Sequence, residues 1–349
     1  TGTLTTVSAT TTSGTALLID SGQAWTVDDA ALDGAFIRMT SGTANGQVRT
    51  IVTNGGTTLS VFPSYSTNPS IGDTYIIEKP AVIFTTGTTI RAIPGGLNMT
   101  MTDLEFQSAT SSSAILSQGS DVTIRFGGVR AYNTSTGTAV SVPGFSATGS
   151  SGPLVAKAAS TALLVTKSFS PTTGVYARST AGTAATLVVG TNPSSQAGSW
   201  LNLYARIDAA NQVAVTFQPT QTTSSGSGIA ALYARCGSTT GTTGLVQIGP
   251  GGQTTLNAFS DGCATGFAIG ESANSFDVVG AQFRVSTLSC TLATTCVQVT
   301  KGARARIPVP TLSSVTNAYS VDGVTYSEAQ FSALSPVRIV GPNLSVLER

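Results

Sequence analysis

The four cysteines of the chain have a spacing that suggests a definite chemistry. Cys236, Cys263 and Cys290 are equally spaced along the sequence, and Cys296 follows shortly after the third. If a repeat of this period stacks the first three on adjacent strands, their Cα atoms lie roughly 4.8 Å apart, within disulfide range. Cys236 with Cys263 and Cys290 with Cys296 are candidate bridges, among other pairings. The alternative is a column of reduced cysteines packed as small apolar residues.

A second candidate site is the tripeptide Tyr-Ala-Arg, which occurs three times. Its copies begin at Tyr176, Tyr204 and Tyr233, at almost equal intervals. We expect the copies to stack on successive strands. A ladder of tyrosine faces and guanidinium groups suits sugars and their acidic groups. The alternative is a structural stack, in which each arginine pairs with a neighbour or covers a tyrosine ring. The arginines of this ladder are Arg178, Arg206 and Arg235.

The absence of histidine removes several catalytic chemistries from this chain. A Ser-His-Asp triad, a Cys-His pair and histidine-ligated zinc all require that side chain. The cysteines also lack the Cys-x-x-Cys spacing that is typical of metal sites. We therefore predict no metal and no cofactor. Carboxylate chemistry remains open, because glycoside hydrolysis requires only two acids at the right separation.

One candidate pair of acids is Asp103 and Glu105, which are two residues apart and therefore share one face of a strand. Their counterparts one repeat later are Phe126 and Gly128, so no partner acids are expected beside them. We predict no catalytic residue and interpret most acids as solvated surface groups. The other acids considered are scattered over several repeats, at Asp208, Asp261, Glu271 and Asp277.

The cationic side chains are few. Only 9% of the residues are charged and the net charge is +1. Nucleic acid is therefore not an expected partner, because phosphate binding requires clustered lysine and arginine. Arg304 and Arg306 are two residues apart and share a face, which would suit an acidic partner surface or a plain exposed strand.

The composition indicates a folded, all-β protein. Hydrophobic residues make up 40% of the chain, and β-branched residues occur throughout. No apolar run approaches the roughly 20 residues of a membrane helix. The first residues show no basic segment followed by an apolar one, so we expect no signal peptide within the sequence.

The elements that position these residues are short strands in a repeat. The stretch 98–142 matches itself when it is shifted so that Asn98 falls on Asp121, Met101 on Ile124 and Phe106 on Val129. Strands too short to bury a face alone, repeating at this period, predict the stacked coils of a solenoid. The Tyr-Ala-Arg and cysteine spacings continue the repeat down the chain.

The sequence divides into three parts. Residues 1–79 alternate apolar and polar positions between turn formers and predict a small antiparallel β domain, with Asn54-Gly55 as a hairpin turn. This domain is expected to cap the solenoid. Residues 80–300 predict the solenoid, and 301–349 predict a C-terminal cap or subunit-contact segment. Within that segment, residues 318–349 predict a short strand, a helical turn and a final strand.

The repeat resembles right-handed parallel β-helix proteins such as phage tailspikes, pectin-degrading enzymes and secreted adhesins. Within the first domain, the sequence from Gly46 to Tyr75 resembles a module of phage virion proteins. The resemblance implies a non-enzymatic virion component of the head-fibre, capsid-decoration or tailspike kind. It also implies that the domain at 1–79 attaches the solenoid to a virion. A further implication is a homotrimer that contacts other virion proteins and a host surface glycan. A polysaccharide-degrading tailspike and a secreted adhesin or filament subunit are the alternative interpretations.

Overall fold

In the computed structural model, the chain forms a small antiparallel β domain followed by a parallel β-solenoid, and its one helix among the described residues is a single turn. The predicted all-β parallel solenoid is therefore confirmed. The structure describes residues 1–10, 15–78, 81–85, 90–92, 98–111, 113–117, 123–135, 138–142, 146–148, 154–159, 162–165, 169–170, 175–179, 187–189, 200–207, 215–217, 228–236, 246–248, 251–269 and 281–349.

The N-terminal domain is one antiparallel sheet over the described residues. Its strands are β1 (Gly2–Thr3), β2 (Thr6–Thr10), β3 (Thr15–Ile19), β4 (Phe36–Met39), β5 (Val48–Asn54), β6 (Thr58–Phe62) and β7 (Thr74–Glu78). They lie in the order β1-β7-β4-β5-β6-β3-β2. The predicted hairpin at Asn54-Gly55 joins β5 to β6, where the Gly55 amide donates to the carbonyl of Thr58 at 2.9 Å. The core is built by residues including Leu18, Ile37, Met39, Ile51, Leu59, Val61 and Tyr75.

The solenoid is built from short strands with turns between them. The strands are β8 (Ala81–Thr85), β9 (Ile90–Ala92), β10 (Asn98–Thr102), β11 (Leu104–Ser108), β12 (Ile115–Ser117), β13 (Thr123–Gly127), β14 (Val129–Asn133), β15 (Val140–Val142), β16 (Ser146–Thr148), β17 (Leu154–Ala158), β18 (Leu163–Val165), β19 (Phe169–Ser170), β20 (Val175–Ser179), β21 (Leu187–Val189), β22 (Trp200–Ile207), β23 (Val215–Phe217), β24 (Gly228–Cys236), β25 (Val246–Ile248), β26 (Gly251–Asp261), β27 (Thr265–Ile269), β28 (Ala281–Thr291) and β29 (Thr295–Val299).

These strands stack in parallel ladders. The ladder that carries the candidate site is called the long sheet and contains β8-β11-β14-β17-β20-β22-β24-β26-β28. A second ladder contains β9-β12-β15-β18-β21-β23-β25-β27-β29, and a shorter one contains β10-β13-β16-β19. Because side chains alternate across a strand, every second residue of the long sheet enters the core. Phe106, Ala131, Ala156 and Ala177 form one such inward column.

The register of the first repeat differs from the sequence alignment. Asn98 pairs with Thr123 instead of Asp121, and Phe106 pairs with Ala131 instead of Val129. The predicted register was therefore wrong by two positions. A slip of two positions keeps every side chain on the same face of its strand, so the alternation of apolar residues could not reveal it.

Several corners of the solenoid use backbone in the left-handed region. Asp103 has φ 54° between β10 and β11, and Gly128 has φ 73° at the equivalent corner one coil later. Lower down, Gly262, Leu292 and Ser314 have φ 73°, 55° and 55° at successive corners. Hydrogen bonds between these corners join successive coils. The amide of Gly262 donates to the carbonyl of Thr291, and the amide of Leu292 donates to the carbonyl of Ser313, each at 2.9 Å.

The parallel ladders continue beyond residue 300. The last elements are β30 (Arg304–Arg306), β31 (Thr311–Ser313), β32 (Asn317–Val321), β33 (Val324–Tyr326), α1 (Glu328–Ser332), β34 (Arg338–Val340) and β35 (Val346–Glu348). Strands β30 and β31 pair with β28, and β32 pairs with β29. The coil continues because Ala303, Ala305 and Ile307 are buried alternately, before the prolines begin.

The chain then closes the end of the solenoid. Antiparallel pairs β32–β33 and β34–β35 end the parallel pairing. Helix α1 begins with a capping box made by Ser327 and Gln330. It buries Phe331 against Tyr319, with ring centroids 4.8 Å apart. The predicted helical turn is present, with two strands before it and two after it where one of each was expected. Phe331, Ile339 and Leu347 of this segment join the apolar core of the solenoid.

Candidate functional site

The Tyr-Ala-Arg copies lie in register on the long sheet. Tyr176 pairs with Tyr204 and Tyr204 with Tyr233. The arginines stack in the same way, Arg178 beside Arg206 and Arg206 beside Arg235. A register irregularity between Leu201 and Asn202 accommodates the slightly longer interval between the second and third copies. The repeat in the sequence therefore corresponds to a physical ladder.

The ladder is longer than the tripeptide indicates. Lys157 on β17 pairs with Arg178, and Tyr132 on β14 pairs with Lys157. At the lower end, Arg235 pairs with Asp261. Four cations thus occupy neighbouring positions at a strand spacing of about 4.8 Å, where like charges repel. We call the outward column Lys157, Arg178, Arg206 and Arg235 the cation column.

The N-terminal domain supplies the counter-charge at the upper end of this column. The Nζ atom of Lys157 lies 2.6 Å from Oδ2 of Asp33, and Arg178 pairs with the same oxygen. The hydroxyl of Tyr176 donates to Oδ1 of Asp33 at 2.6 Å. Lys157 also donates to the main-chain carbonyl of Asp33 at 3.1 Å. One carboxylate therefore binds three side chains on two adjacent coils.

A tight turn positions this carboxylate. The amide of Asp29 donates to the side chain of Asn54, and the amide of Asp33 donates back to the carbonyl of Asp29. Gly34 follows with φ 79°. A Cβ atom there would lie 3.0 Å from a methyl group of Val155 on the solenoid. Glycine thus serves both the backbone conformation and the close approach of the two domains.

Burial makes the charges of this contact interdependent. Asp33 is 4% exposed. Desolvation raises the pKa of its carboxyl, but attraction to Lys157 and Arg178 outweighs that effect, so the pKa is lowered. The pKa of Tyr176 is raised by burial and by the neighbouring Asp33 charge. The site is therefore an ionised carboxylate held by protonated partners, and each group depends on the others.

An apolar contact surrounds the ion pairs. Phe36, Val52 and Phe62 of the N-terminal domain pack with Val155, Tyr176 and Tyr204 of the solenoid. The Phe62 and Tyr204 rings meet edge to face with centroids 5.5 Å apart, and Tyr176 and Tyr204 with centroids 5.4 Å apart. Burial raises the pKa of Tyr204 to about 12, with Arg235 opposing the shift. The described contacts of the domain thus lie on the side of the solenoid, whereas an end cap was one expectation.

The acids considered for catalysis are used differently. Glu105 is 4% exposed and lies 3.0 Å from Arg130 on the next coil. Arg130 and Lys157 both lie over the Tyr132 ring, with 5.0 Å between each cation and its centroid. Glu105 is therefore a buried partner in the upper ladder, and the expectation of a solvated acid was wrong for it.

Asp103 does not share a face with Glu105. Its left-handed backbone, φ 54°, breaks the alternation between β10 and β11, and its side chain is exposed. A single strand through both residues was the wrong assumption. At the lower end of the ladder, Asp261 is 3.7 Å from Arg235. Asp208, Glu271 and Asp277 lie outside the described residues.

The cysteines form two disulfides, one bridging neighbouring coils and one closing a short loop. Cys236 bonds Cys263, with Cα atoms 5.2 Å apart, and Cys290 bonds Cys296, with Cα atoms 5.7 Å apart. The predicted three-cysteine stack is not in register, because Cys290 pairs with Ser260 instead of Cys263. Coils of unequal length explain this: Arg235 pairs with Asp261, and Asp261 with Thr291.

Sequence reasoning missed Asp33, Lys157, Tyr132 and Arg130. The sequence contains a signal for the last three. Arg130-Ala-Tyr132 and Val155-Ala-Lys157 have the same pattern as Tyr-Ala-Arg, with an alanine between two larger residues. Asp33 has no such signal, since it lies far from its partners along the chain. The remaining predicted cations, Arg304 and Arg306, are both exposed on β30.

The arrangement holds two domains together by charge and packing. Within the described ranges, no group of three or more histidine, cysteine or acidic side chains is placed to hold a metal ion. No helix in the described part of the chain has the length and apolar character to cross a membrane. Comparison of the chain with protein-family models, with curated proteins and with solved structures gives no match.

Proposed function

We propose that this protein is a non-enzymatic structural component of a bacteriophage virion, an attachment rod of the head-fibre, capsid-decoration or tailspike kind. The observation that carries the proposal is the buried contact of Asp33 with Lys157, Tyr176 and Arg178. Directional ion pairs surrounded by packed rings fix one orientation of the N-terminal domain on the solenoid. A rod that transmits a fixed geometry between its ends requires such a rigid joint.

The finer features of the proposal come from the resemblance in sequence. The coils wind right-handedly, as nearly all parallel crossover connections do. The rod assembles as a homotrimer, the N-terminal domain attaches to other virion proteins, and the protein resides in the extracellular particle. The Tyr-Ala-Arg ladder supports this role as a joint, since Tyr176 and Tyr204 are buried against the N-terminal domain and are not presented to a glycan.

The second candidate is a secreted bacterial adhesin or filament subunit. It is favoured by the two disulfides, Cys236–Cys263 and Cys290–Cys296. Disulfides form and persist in oxidising compartments outside the cytosol. A phage protein assembles in the reducing cytosol, so it would acquire these bonds only after release. The redox state at the time of assembly therefore discriminates between the two roles.

Cryo-electron microscopy of purified particles tests the proposal. We expect density of the solenoid at a capsid or tail position, occupied by three copies. Absence from every particle, with the protein found on the producing cell surface, would establish the second candidate instead. Incubation with host capsular polysaccharide tests for catalysis, and release of new reducing ends or unsaturated sugars would contradict the structural role.

A further inference from the structure

The long sheet continues through β30, β35 and β34, and an exposed cluster of arginines lies at this C-terminal end. Arg284 on β28, Arg304 and Arg306 on β30, and Arg338 on β34 are all exposed. Arg284 pairs with Arg306, Arg306 pairs with Glu348 of β35, and Glu348 pairs with Arg338. Paired residues of neighbouring strands point to the same side of a sheet. We call Arg284, Arg304, Arg306 and Arg338 the arginine face.

The described part of the chain neutralises only a fraction of the charge on the arginine face, because one acid, Glu348, accompanies four arginines. None of its four guanidinium groups forms an ion pair with a described carboxylate, and Glu348 is the one described acid in the same row. The cation column differs, because Asp33 binds its upper end. Cations on strands about 4.8 Å apart repel one another unless a counter-charge approaches. An anionic ligand from another molecule would supply that counter-charge.

The size of the face indicates what kind of molecule fits it. Three strand spacings give about 14 Å across the sheet, and two residues along a strand give about 7 Å. The resulting area, on the order of 100 Å², is far below the roughly 800 Å² per partner of a stable protein interface. A short segment of a linear polymer covers such an area.

The side-chain types indicate which anion fits. All four cations are arginines, and a guanidinium fork binds a planar carboxylate through two parallel hydrogen bonds. Single-stranded nucleic acid requires aromatic platforms for its bases. The one aromatic residue in β28, β30, β34 and β35 is Phe283, which is 1% exposed and belongs to the core. Carboxylates repeated along a flexible chain engage several forks at once and gain affinity through multivalency.

We propose that the arginine face binds a linear polysaccharide that carries carboxylate groups. The inference rests on the proposed attachment role and names the class of ligand for it. The binding surface lies on β28, β30 and β34, away from the Tyr-Ala-Arg ladder that faces the N-terminal domain. Attachment through this face leaves the rigid joint between the domains undisturbed.

Binding of the full chain to polygalacturonate, measured by calorimetry, tests this proposal. We expect affinity that falls as sodium chloride is raised and that weakens about tenfold in Arg306→Gln. Arg306→Lys keeps the charge and loses the fork, so an intermediate loss is expected. Lys301→Gln is the matched control, because it removes an exposed charge from the turn before β30 and not from the face. Thermal denaturation of each variant verifies that it remains folded.

Several results would overturn the proposal. Equal effects of Arg306→Gln and Lys301→Gln would show attraction by net charge alone. Tighter binding of poly-L-glutamate than of polygalacturonate would indicate an acidic protein as the partner, and tighter binding of single-stranded DNA would indicate nucleic acid. No binding to polygalacturonate in the presence of confirmed particle localisation would refute this inference and leave the proposed function standing. Binding to polygalacturonate without any localisation to particles would refute the proposed virion role and leave the arginine face as a polysaccharide-binding surface.

Discussion

At the scale of single residues, Asp33 connects the two parts of the molecule. Its carboxylate binds Lys157, Tyr176 and Arg178, which belong to two coils of the solenoid. Removing one member of a buried ion pair leaves the others desolvated and uncompensated. A buried pair is therefore weak evidence for high stability, and we expect its main effect here to be on the relative arrangement of the domains.

Replacement of Asp33 by asparagine tests this connection. Asp33→Asn keeps the shape and removes the charge, so the buried Lys157 and Arg178 lose the counter-charge of this carboxylate. We expect the free energy of unfolding to fall by about 3 kcal/mol, measured by chemical denaturation. Asp28→Asn is the matched control, because Asp28 is exposed and asparagine tolerates its left-handed backbone. Equal effects of the two substitutions would contradict the role of Asp33.

The same carboxylate makes stability depend on pH. Its pKa in the folded state is lowered, so its contribution is fully present above the unfolded pKa of about 3.9 and is lost as pH falls through the folded pKa. We expect the stability difference between the wild type and Asp33→Asn to shrink as the pH falls below about 4. The difference between the two proteins cancels the contributions of the other carboxyls, including Asp20 and Glu328, whose pKa is also lowered. A constant difference from neutral to acid pH would contradict this assignment.

At the scale of elements, corners and cross-links fix how one coil follows the next. Leu292 occupies the left-handed region at a corner where the preceding coil has Gly262. A side chain in that region costs roughly 1–2 kcal/mol, and asparagine tolerates it better than leucine. The side chain of Leu292 is 57% exposed, so little packing offsets the cost.

The corner residues predict substitutions of opposite sign. Leu292→Asn is expected to raise the free energy of unfolding by about 0.5 kcal/mol, because strain decreases and an exposed apolar side chain is removed. Gly262→Ala is expected to lower it by about 1 kcal/mol, since its φ is 73° and a Cβ would lie 3.2 Å from the carbonyl of Cys236. Denaturant titration measures the free energy of unfolding of each variant. Stabilisation by Gly262→Ala would contradict the left-handed corner.

The two disulfides are expected to contribute unequally. Cys236–Cys263 has a sequence separation of 27 and Cys290–Cys296 one of 6. Longer closed loops constrain the unfolded chain more, so we expect losses of about 3.5 and about 2 kcal/mol for the respective double serine variants. Chemical denaturation measures both, with reduced wild type as the control for their sum. A larger loss at the short loop would show that native packing, not loop closure, sets the contribution.

At the scale of the whole molecule, an open stack of strands must be closed at its ends. Parallel coils expose apolar core and unpaired strand edges wherever the stack stops, and both promote association between chains. Here the antiparallel pair β34–β35 ends the long sheet and the pair β32–β33 ends the second ladder. Helix α1 buries Phe331 over Tyr319. We therefore expect the C-terminal segment to protect the solenoid from end-to-end association.

Phe331→Ala tests this protection. Loss of the buried ring is expected to cost about 3–4 kcal/mol and to uncover the end of the core. We expect a lower midpoint of unfolding together with concentration-dependent light scattering. Leu334→Ala is the control, because this neighbouring side chain is 38% exposed. A Phe331→Ala protein that is destabilised but remains dispersed would show that the cap stabilises the core without preventing association.

The sequence by itself determined the stacking of coils and the register of the Tyr-Ala-Arg copies. Identical residues at nearly equal spacing carry that information, because each coil pairs with its neighbour over a short separation in the chain. It also indicated the hairpin at Asn54-Gly55 and the helical turn in the C-terminal segment. Alternation is insensitive to a slip of two positions, so the first repeat was misaligned while the faces of its paired strands remained correct.

The tertiary structure alone decided what covers the outward side of the ladder. Stacked cations predict that a counter-charge is required, but many acids of the chain satisfy that requirement equally well in sequence. Packing of Phe36 and Phe62 against Tyr176 and Tyr204 places Asp33 at the cation column. The tertiary structure also decided the pairing of Glu105 with Arg130. The left-handed backbone at Asp103 places Glu105 on the face opposite to the one that alternation predicts. Long-range charge partners are chosen by packing geometry, which local spacing does not encode.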